Sequence, residues 1–383
     1  MATTNLAMNS AAYLGGGRDL TLKGGEWQNG TNDLIVGYET SGASMSVTNA
    51  GRAVNADGYI GWGSSAAGNS VTVSDADSLW WNTGGNLYLG AYWDAGTNLA
   101  QTGSGNLLKV NNGAQVFVGE VTNNTPGMLV ASTNGAQFTI WNGSAFIENT
   151  LQLGVSSNIT GSAVIKNGGY LSVGDLVIAD TNSVLDLQSG GVFDIGSDFN
   201  VADREASGFS WGSNSTLSVG GILTGKTSDL AKGQDLVLNG PDAVWDTAGE
   251  DLRIGLHAAS KLTLFNGANM TSANTYIGAN TNSGGHAMVL SSNSFWQANG
   301  DLYIGPDTTE NYMQLLGGST NQLTGSAYIG GTNASGNYAQ IQGSNSLWSI
   351  GGDLTVFSGN DIQFQTDGLI TVGGDVLLES NTV

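Results

Sequence analysis

Residues 292–305 read Ser-Asn-Ser-Phe-Trp-Gln-Ala-Asn-Gly-Asp-Leu-Tyr-Ile-Gly, and a close copy, Ser-Asn-Ser-Leu-Trp-Ser-Ile-Gly-Gly-Asp-Leu-Thr-Val, stands at 344–356. In each copy, polar and apolar residues alternate around a tryptophan. Glycine and aspartate follow, and then a second short segment alternates in the same way. Alternation with a period of two is typical of a strand with one buried face. Gly, Asn and Asp between such segments favour tight turns. The stretch therefore predicts short strands joined by tight turns.

The second half of this stretch recurs along the chain as an acid or amide, an aliphatic residue, any residue and another aliphatic residue. Its copies begin at Asp33, Asn86, Asp198, Asp251, Asp301 and Asp353, so the spacings are 53, 112, 53, 50 and 52 residues. The long spacing is two periods and indicates a degenerate repeat near 120–170. An aromatic residue precedes the copies closely at Trp27, Trp80, Phe193, Trp245, Trp296 and Trp348. The chain therefore consists of seven repeats of about 52 residues.

A related phrase divides each repeat, as in 58–61, 116–119, 275–278 and 327–330. Each repeat thus holds two turns of roughly 25 residues, and no segment has a helical period. Short strands in such turns predict an all-β parallel β-helix (β-solenoid) of about fourteen coils, in which each coil buries its inner face on its neighbours. We expect a single domain over 1–383 and a right-handed helix. A seven-bladed β-propeller also fits the numbers, but its blades need longer antiparallel strands.

The composition excludes several classes of protein. The 383 residues include 60 Gly, 3 Pro and no Cys, and 31 acids against 10 bases give a net charge of −21. Only 11% of residues are charged, too few for a coiled coil. The basic patch that nucleic-acid binding needs is missing, and no apolar run is long enough for a membrane helix. The absence of cysteine excludes disulfides, thiolate metal sites and cysteine nucleophiles.

The repeat resembles that of bacterial autotransporter passengers and PEP-CTERM-associated exported proteins. The residues that carry the resemblance are 344–348 followed by 353–356, and 292–296 followed by 301–305. The match covers nearly the whole chain and is loose between 120 and 240. The resemblance implies a secreted β-helix at the bacterial cell surface or outside the cell, without catalytic residues. The chain shows no secretory signal, no C-terminal membrane barrel and no PEP-CTERM tail. The export route therefore stays open, and a fragment of a longer passenger is one interpretation of the sequence.

The candidate functional residues are aromatic. The middle residue of the aliphatic phrase should point outward, because its two neighbours point inward. Stacked coils would then carry an exterior aromatic contact stripe for carbohydrate or a protein partner, formed by Tyr59, Tyr88, Phe117, Tyr276, Tyr303 and Tyr328. Stacking between coils without a ligand is the structural alternative. The tryptophans that precede the phrase are expected in the core rather than on a sugar-binding platform.

Other polar residues predict no site. The leading aspartates are expected to hydrogen-bond their own turns, since copies two coils apart are too distant to share a calcium ion. The two histidines, His257 and His286, are expected at the surface. No nucleophile motif or phosphate loop occurs. We therefore expect no catalytic, cofactor-binding or metal-binding residues.

These features predict a structural or adhesive extracellular module, such as a stalk, passenger rod or filament subunit, and not an enzyme. The alternative is a polysaccharide-binding or polysaccharide-degrading β-helix protein, but the few bases are scattered and none lies beyond Lys261. Both ends are predicted to be strand without a polar cap, from Ala12–Leu14 through Leu20–Leu22 at the start and over 374–378 at the end. Uncapped strand edges recruit other chains. We therefore expect head-to-tail homo-oligomers or filaments, a carbohydrate or cell-surface partner, and no nucleic-acid binding or membrane insertion.

Overall fold

The computed structural model describes residues 6–7, 10–91, 103–119, 127–206, 208–225, 229–230, 233–278 and 284–379. The strands up to residue 200 are β1 (Leu6–Ala7), β2 (Ala12–Leu14), β3 (Asp19–Lys23), β4 (Glu26–Gln28), β5 (Leu34–Tyr38), β6 (Ser44–Thr48), β7 (Arg52–Asn55), β8 (Gly58–Trp62), β9 (Ser70–Ser74), β10 (Leu79–Asn82), β11 (Leu87–Leu89), β12 (Leu107–Asn111), β13 (Gln115–Val118), β14 (Met128–Val130), β15 (Ala136–Trp141), β16 (Ser144–Leu153), β17 (Gly161–Lys166), β18 (Tyr170–Ile178), β19 (Val184–Leu187), β20 (Val192–Ile195) and β21 (Phe199–Asn200).

A short helix, α1 (Val201–Ala206), interrupts the strands. The strands after it are β22 (Phe209–Trp211), β23 (Thr216–Val219), β24 (Ile222–Thr224), β25 (Asp229–Leu230), β26 (Asp235–Asn239), β27 (Val244–Asp246), β28 (Leu252–Ile254), β29 (Lys261–Phe265), β30 (Asn269–Ser272), β31 (Thr275–Ile277), β32 (Ala287–Leu290), β33 (Phe295–Ala298), β34 (Leu302–Ile304), β35 (Tyr312–Leu316), β36 (Thr320–Leu323), β37 (Ala327–Ile329), β38 (Tyr338–Gln342), β39 (Leu347–Ile350), β40 (Leu354–Val356), β41 (Asp361–Gln365), β42 (Leu369–Val372) and β43 (Val376–Leu378). In the part of the chain that the structure describes, no helix is long and apolar enough to cross a membrane.

The strands form parallel β-solenoid coils, about 13 turns in the chain, which confirms the predicted fold class. The paired strands are parallel, and the partner of a residue lies one coil later in the sequence. Ser44 pairs with Ser70 and Lys261 with Ala287, and each partner is 26 residues further along the chain. The roughly 25-residue turn is therefore confirmed, and the antiparallel blades of a propeller are not formed. The handedness stays a prediction.

The coils fall into two compact units, Met1–Gly196 with Asp203–Trp211, and Ser197–Ala202 with Gly212–Val383. In the first unit, the first strands of the coils form an eight-stranded sheet from β3 to β22. The second strands pair from β4 through β7, β10 and β13, and the third strands from β2 through β5, β8, β11 and β14. The single domain expected over 1–383 stays a prediction.

The degenerate repeat has a structural cause. Near 144–178 the second and third strands of a coil merge into one long strand, β16 and then β18. These two strands pair along their whole length, with a register shift between Ile147 and Thr150. The merging removes the glycine-rich turn that marks the repeat elsewhere, so the sequence pattern fades here. Residues 120–126 of this predicted segment lie outside the described residues.

In the second unit each coil contributes one strand to each of three sheets. The first strands run from β23 to β41, the second strands form an eight-stranded sheet from β21 to β42, and the third strands form a seven-stranded sheet from β25 to β43. Alternate residues are buried in most strands before the last described coil, as in β34, where Leu302 and Ile304 face the core. The middle residues of the third strands point away from it.

The two-coil period of the sequence arises from core packing in this unit. The inward position on the second strand alternates between tryptophan and a smaller residue in successive coils: Trp245, Met270, Trp296, Asn321, Trp348 and Ile370. The tryptophans of this series are at most 1% exposed. They are core residues, as the sequence predicts, and no tryptophan of the series can serve as a sugar platform.

Two of the core tryptophans donate hydrogen bonds to the preceding coil. The Trp296 Nε1–H donates to the Ser272 hydroxyl one coil back (2.9 Å), and Trp80 Nε1–H donates to Asn55 Oδ1 (2.7 Å). The preceding coil provides the space, because a Cβ added to Gly58 would lie 2.8 Å from the Trp80 ring. At this point of the stack the large tryptophan side chain of one coil thus packs against a glycine of the coil before it.

Within each unit a buried polar ladder links coils at the residue just before the first strand. The members are at most 1% exposed: Asn69 and Asn106 in the first unit, and His286, Asn311, Asn337 and Asn360 in the second. Asn337 Oδ1 accepts from the Asn311 backbone N–H (2.9 Å), and Asn360 Oδ1 accepts from the Asn337 backbone N–H (3.1 Å). Buried amides that satisfy one another in this way fix the register of stacked coils.

The ladder explains the glycine that ends the repeated phrase. Gly305 has φ +61°, and a Cβ there would lie 2.1 Å from Asn337 Oδ1. A side chain at this position would therefore both strain the backbone and collide with the ladder.

Candidate functional site

The structure brings three of the predicted stripe residues together in the second unit. Tyr276, Tyr303 and Tyr328 occupy the middle of β31, β34 and β37 and pair in register. Their ring centroids are 4.9 and 5.0 Å apart, with interplanar angles of 5° and 10°. We call these three residues the tyrosine column. Within it each ring covers its neighbour, so the column presents ring edges outward rather than a row of open faces.

The two ends of the column differ. At one end the Arg253 guanidinium lies over the Tyr276 ring, 6.0 Å from its centroid. Arg253 also forms ion pairs with Asp229 (3.4 Å) and Asp251 (3.8 Å). The guanidinium therefore covers the Tyr276 end of the column by a cation–π contact.

At the other end no ring continues the column. Thr355 pairs in register with Tyr328 on the next coil. A cavity of about 280 Å³ lies beside Tyr303 and Tyr328, and its other lining residues are Pro306, Gly330, Gly331, Thr332 and Phe357. The cavity therefore borders the edges of these two rings.

One residue of the tyrosine column, Tyr303, interacts with Asp301, the acid that begins the repeated sequence phrase. The Tyr303 hydroxyl donates to Asp301 Oδ2 (3.2 Å). Burial, and after it the Asp301 charge, raises the pKa of Tyr303 to about 12. The phenol is therefore neutral throughout the physiological range and keeps its hydrogen bond to the carboxylate.

This shift predicts a late-titrating tyrosine. Because folding raises the pKa of Tyr303 from 10.0 to about 12, stability associated with the neutral phenol is present below pH 10 and lost as the pH rises toward 12. We expect a tyrosinate absorbance titration to show this late phenol in the native chain and to lose it in Tyr303→Phe. Asp301→Asn should lower the midpoint only in part, since burial is the larger cause. Superimposable curves for the native chain and Tyr303→Phe would contradict the assignment.

Two further stripe residues lie in the first unit, and one of them is buried. Tyr59 and Tyr88 stack with centroids 5.0 Å apart at 17°. Tyr88 is only 5% exposed and belongs to an apolar cluster with Leu129 and Ala131. The sequence predicts an exterior position for Tyr88, and this prediction is wrong. The outward middle position is buried here because residues that follow the third strands pack over it.

The sixth stripe residue, Phe117, lies on a different sheet. It belongs to β13, a second strand, and pairs in register with Trp81 and Phe146. Its ring stacks on Phe146 (4.6 Å, 13°) rather than continuing the Tyr59–Tyr88 pair. The sequence of residues 116–119 resembles the phrase found on third strands, but these residues belong to a second strand of the coil. The single stripe predicted from the sequence is therefore divided among three columns.

Sequence reasoning missed another aromatic pair. Tyr312 and Tyr338, the first residues of β35 and β38, stack with centroids 5.1 Å apart at 6°. On the same two strands, the Gln314 side chain donates a hydrogen bond to Gln340 Oε1 (2.7 Å). The glutamine pair continues the contact between these two coils next to the tyrosine pair. Tyrosine before an alternating segment in both coils was the available signal.

The leading aspartates bond to the next coil rather than to their own turns. Asp301 Oδ1 accepts from the Ser326 backbone N–H (2.7 Å), and Asp353 Oδ1 accepts from that of Asp375 (2.8 Å). They are inter-coil links. Among the described residues no group of three or more His, Asp or Glu side chains could hold a metal ion.

His286 is also placed differently from the sequence prediction. It is fully buried and stands in the asparagine ladder, where its Nδ1 accepts from the Ser260 N–H (3.1 Å). Its backbone N–H donates to Asn311 Oδ1 (3.1 Å). The imidazole therefore replaces an asparagine amide as an acceptor between coils, and it is not a surface histidine.

No protein-family model and no curated protein matches the sequence. Among solved structures, the chain is similar to the crystal structure of a TibA fragment hyper-glycosylated by TibC. The two are 13% identical, the similarity covers 98% of each chain, and the TM-score is 0.20. A similarity at this level supports no conclusion about function.

Proposed function

We propose that the chain is a non-catalytic structural or adhesive module of the bacterial cell surface or extracellular space, of the autotransporter-passenger type. The observation that carries the proposal is the regular stacking of coils through buried tryptophan and asparagine columns. Such stacking yields extended, rigid sheet surfaces with repeated side chains. Solenoids use surfaces of this kind for binding along their length.

Retention on surfaces tests this function. Beads that carry the chain should adhere to cell-derived or polysaccharide-coated surfaces more than beads that carry the unfolded chain. Neutral and acidic polysaccharides incubated with the protein should keep their chain length. Reproducible shortening of a polysaccharide would replace the proposal with the degrading alternative, and retention equal to that of the unfolded control would remove the adhesive role.

Head-to-tail association of copies is the second part of the proposal. In the last described coil the inward-facing side chains are only partly covered, and Phe364 and Leu378 are 55% and 57% exposed. A cavity of about 310 Å³ opens there, lined by Leu354, Val356, Ile362, Phe364, Ile370, Val372, Val376 and Leu378. An apolar face bordered by parallel strands fits the first coil of another copy, and such heterologous contacts extend into filaments.

Sedimentation velocity checks the association. We expect concentration-dependent oligomers of the native chain and their loss in the double variant Phe364→Asp, Leu378→Asp, because carboxylates would be buried in the contact. The matched control is Thr371→Asp, which adds a charge to an outward position of the same coil. A native chain that is monomeric at every concentration, or a control as disruptive as the double variant, would contradict the contact.

A further inference from the structure

The tyrosine column holds phenol rings of successive coils in a geometry suited to joining them covalently. Tyr276, Tyr303 and Tyr328 are register partners on adjacent parallel strands, so their side chains leave the sheet on the same side. The rings are nearly parallel, at 5° and 10°, and their centroids are 4.9 and 5.0 Å apart. Each phenol of the column therefore has another phenol as a stacking partner.

The two pairs of the column differ in the space around them. A bond between two rings requires them to tilt until the joined carbons are about 1.5 Å apart. The cavity of about 280 Å³ borders the edges of Tyr303 and Tyr328, and it gives these two rings room for that movement. At the other end the Arg253 guanidinium lies over the Tyr276 ring, 6.0 Å from its centroid. The space therefore favours a bond between Tyr303 and Tyr328.

Asp301 supplies a proton acceptor for this pair. The Tyr303 hydroxyl donates to Asp301 Oδ2 (3.2 Å), and both residues are half-buried, so they are in contact with solvent. A phenol loses an electron more easily when a positioned base takes its hydroxyl proton, because a neutral radical forms instead of a radical cation. Oxidation of Tyr303 is therefore assisted by the carboxylate beside it.

We propose that Tyr303 and Tyr328 form an oxidative cross-linking site, at which an outer-sphere one-electron oxidant joins the two rings as dityrosine. Each phenol gives one electron to one equivalent of oxidant and loses its hydroxyl proton to solvent, that of Tyr303 by way of Asp301. The two unpaired electrons form a bond between ring carbons that adjoin the hydroxyl-bearing carbons. The hydrogens on the joined carbons then move to the phenol oxygens, so the product lacks two hydrogen atoms.

The cross-link would fasten two coils of a chain that has no cysteine and therefore no disulfides. Rings that are already stacked couple efficiently, because the cost of bringing them together has been met by folding. The bond would close a loop between residues 303 and 328 and would restrict the unfolded chain as a disulfide does. The site concerns the strength of the stack and does not depend on the adhesive role.

Oxidation of the dilute folded chain tests the site. Photo-oxidised tris(bipyridine)ruthenium, with persulfate as electron acceptor, serves as the oxidant. Cleavage of the monomer before aspartate then separates the three tyrosines of the column into fragments 251–300, 301–306 and 307–352. Mass spectrometry should find 301–306 joined to 307–352 through Tyr303 and Tyr328. A bond between Tyr312 and Tyr338 would stay within 307–352 and is therefore distinguishable.

Two phenylalanine variants provide the matched comparison, because each removes one hydroxyl group from the column and keeps the ring. Tyr328→Phe should lose the joined product, whereas Tyr276→Phe should retain it. The oxidised native chain should also unfold at a higher denaturant concentration than the oxidised Tyr328→Phe chain, and equal midpoints would contradict the stabilising effect.

Three outcomes would overturn the site. They are absence of the joined product, its persistence in Tyr328→Phe, and a main product that joins 251–300 to 301–306. A yield in the urea-unfolded chain equal to that in the folded chain would show that stacking does not direct the coupling, and would overturn the site as well. Surface retention of the beads is a separate measurement, so none of these results bears on the adhesive module.

Discussion

Replacing Trp296 by alanine is expected to lower the free energy of unfolding by about 3–5 kcal/mol, the usual cost of removing a buried aromatic side chain. Trp296 is fully buried, and its removal would leave a cavity and break the hydrogen bond from its Nε1–H to the Ser272 hydroxyl. Chemical denaturation followed by circular dichroism measures the change. Since coils contact mainly their neighbours, we expect the loss in the second unit.

Conservative variants of two tryptophans separate packing from hydrogen bonding. Trp296→Phe loses the Nε1–H bond to Ser272, whereas Trp348 Nε1 has no hydrogen-bond partner among the described residues. Trp348→Phe should therefore be milder than Trp296→Phe by about 1 kcal/mol. Equal effects of the two phenylalanine variants would contradict the hydrogen-bond assignment.

Asn337→Ala is expected to cost about 3–5 kcal/mol, because it leaves several buried polar groups unpaired. Asn337 Oδ1 accepts from both the backbone and the side-chain nitrogen of Asn311, and its Nδ2 donates to Asn360 Oδ1 (2.9 Å). Asn333→Ala, at an exposed turn, should change stability by less than about 0.5 kcal/mol.

The histidine of the ladder provides an independent check on this prediction. His286→Asn should retain most of the stability, since an amide oxygen can accept from Ser260 as Nδ1 does. His286→Leu removes that acceptor and should be clearly destabilising. A denaturation midpoint for Asn337→Ala equal to that of Asn333→Ala would mean that the ladder does not stabilise the stack.

The period, the short strands and the buried tryptophans could be predicted from the sequence because they are local patterns with a simple physical cause. Trp296 and its copy at Trp348 are large, apolar and regularly spaced, so their burial follows from the pattern alone. The cause of the two-coil period could not be predicted. It depends on which residue of the preceding coil faces each tryptophan, and that requires the register.

The incorrect predictions for Phe117 and His286 have the same cause, which is that the sequence does not show how the coils stack. Phe117 has the sequence of a third-strand residue but belongs to a second strand, because neighbouring phrases look alike and loop lengths vary. His286 lies in a turn-like segment, yet the stacked coils bury it. Asparagine before the first strand and glycine after the third do recur in the sequence, and Gly305 with Asn337 is one such pair. Their contact is recognisable only once the coils are stacked.

Cysteine cross-linking tests the stacking most directly, because the chain contains no cysteine of its own. Gln297 and Gln322 are register partners on adjacent coils, and Ser349 follows Gln322 on the next coil. Adjacent strands lie about 4.8 Å apart, within the Cα separation of a disulfide, whereas two coils span about 10 Å. Parallel stacked coils predict rapid disulfide formation in Gln297→Cys, Gln322→Cys and none within the monomer of Gln297→Cys, Ser349→Cys. A disulfide in the second variant, or its absence in the first, would contradict the parallel solenoid.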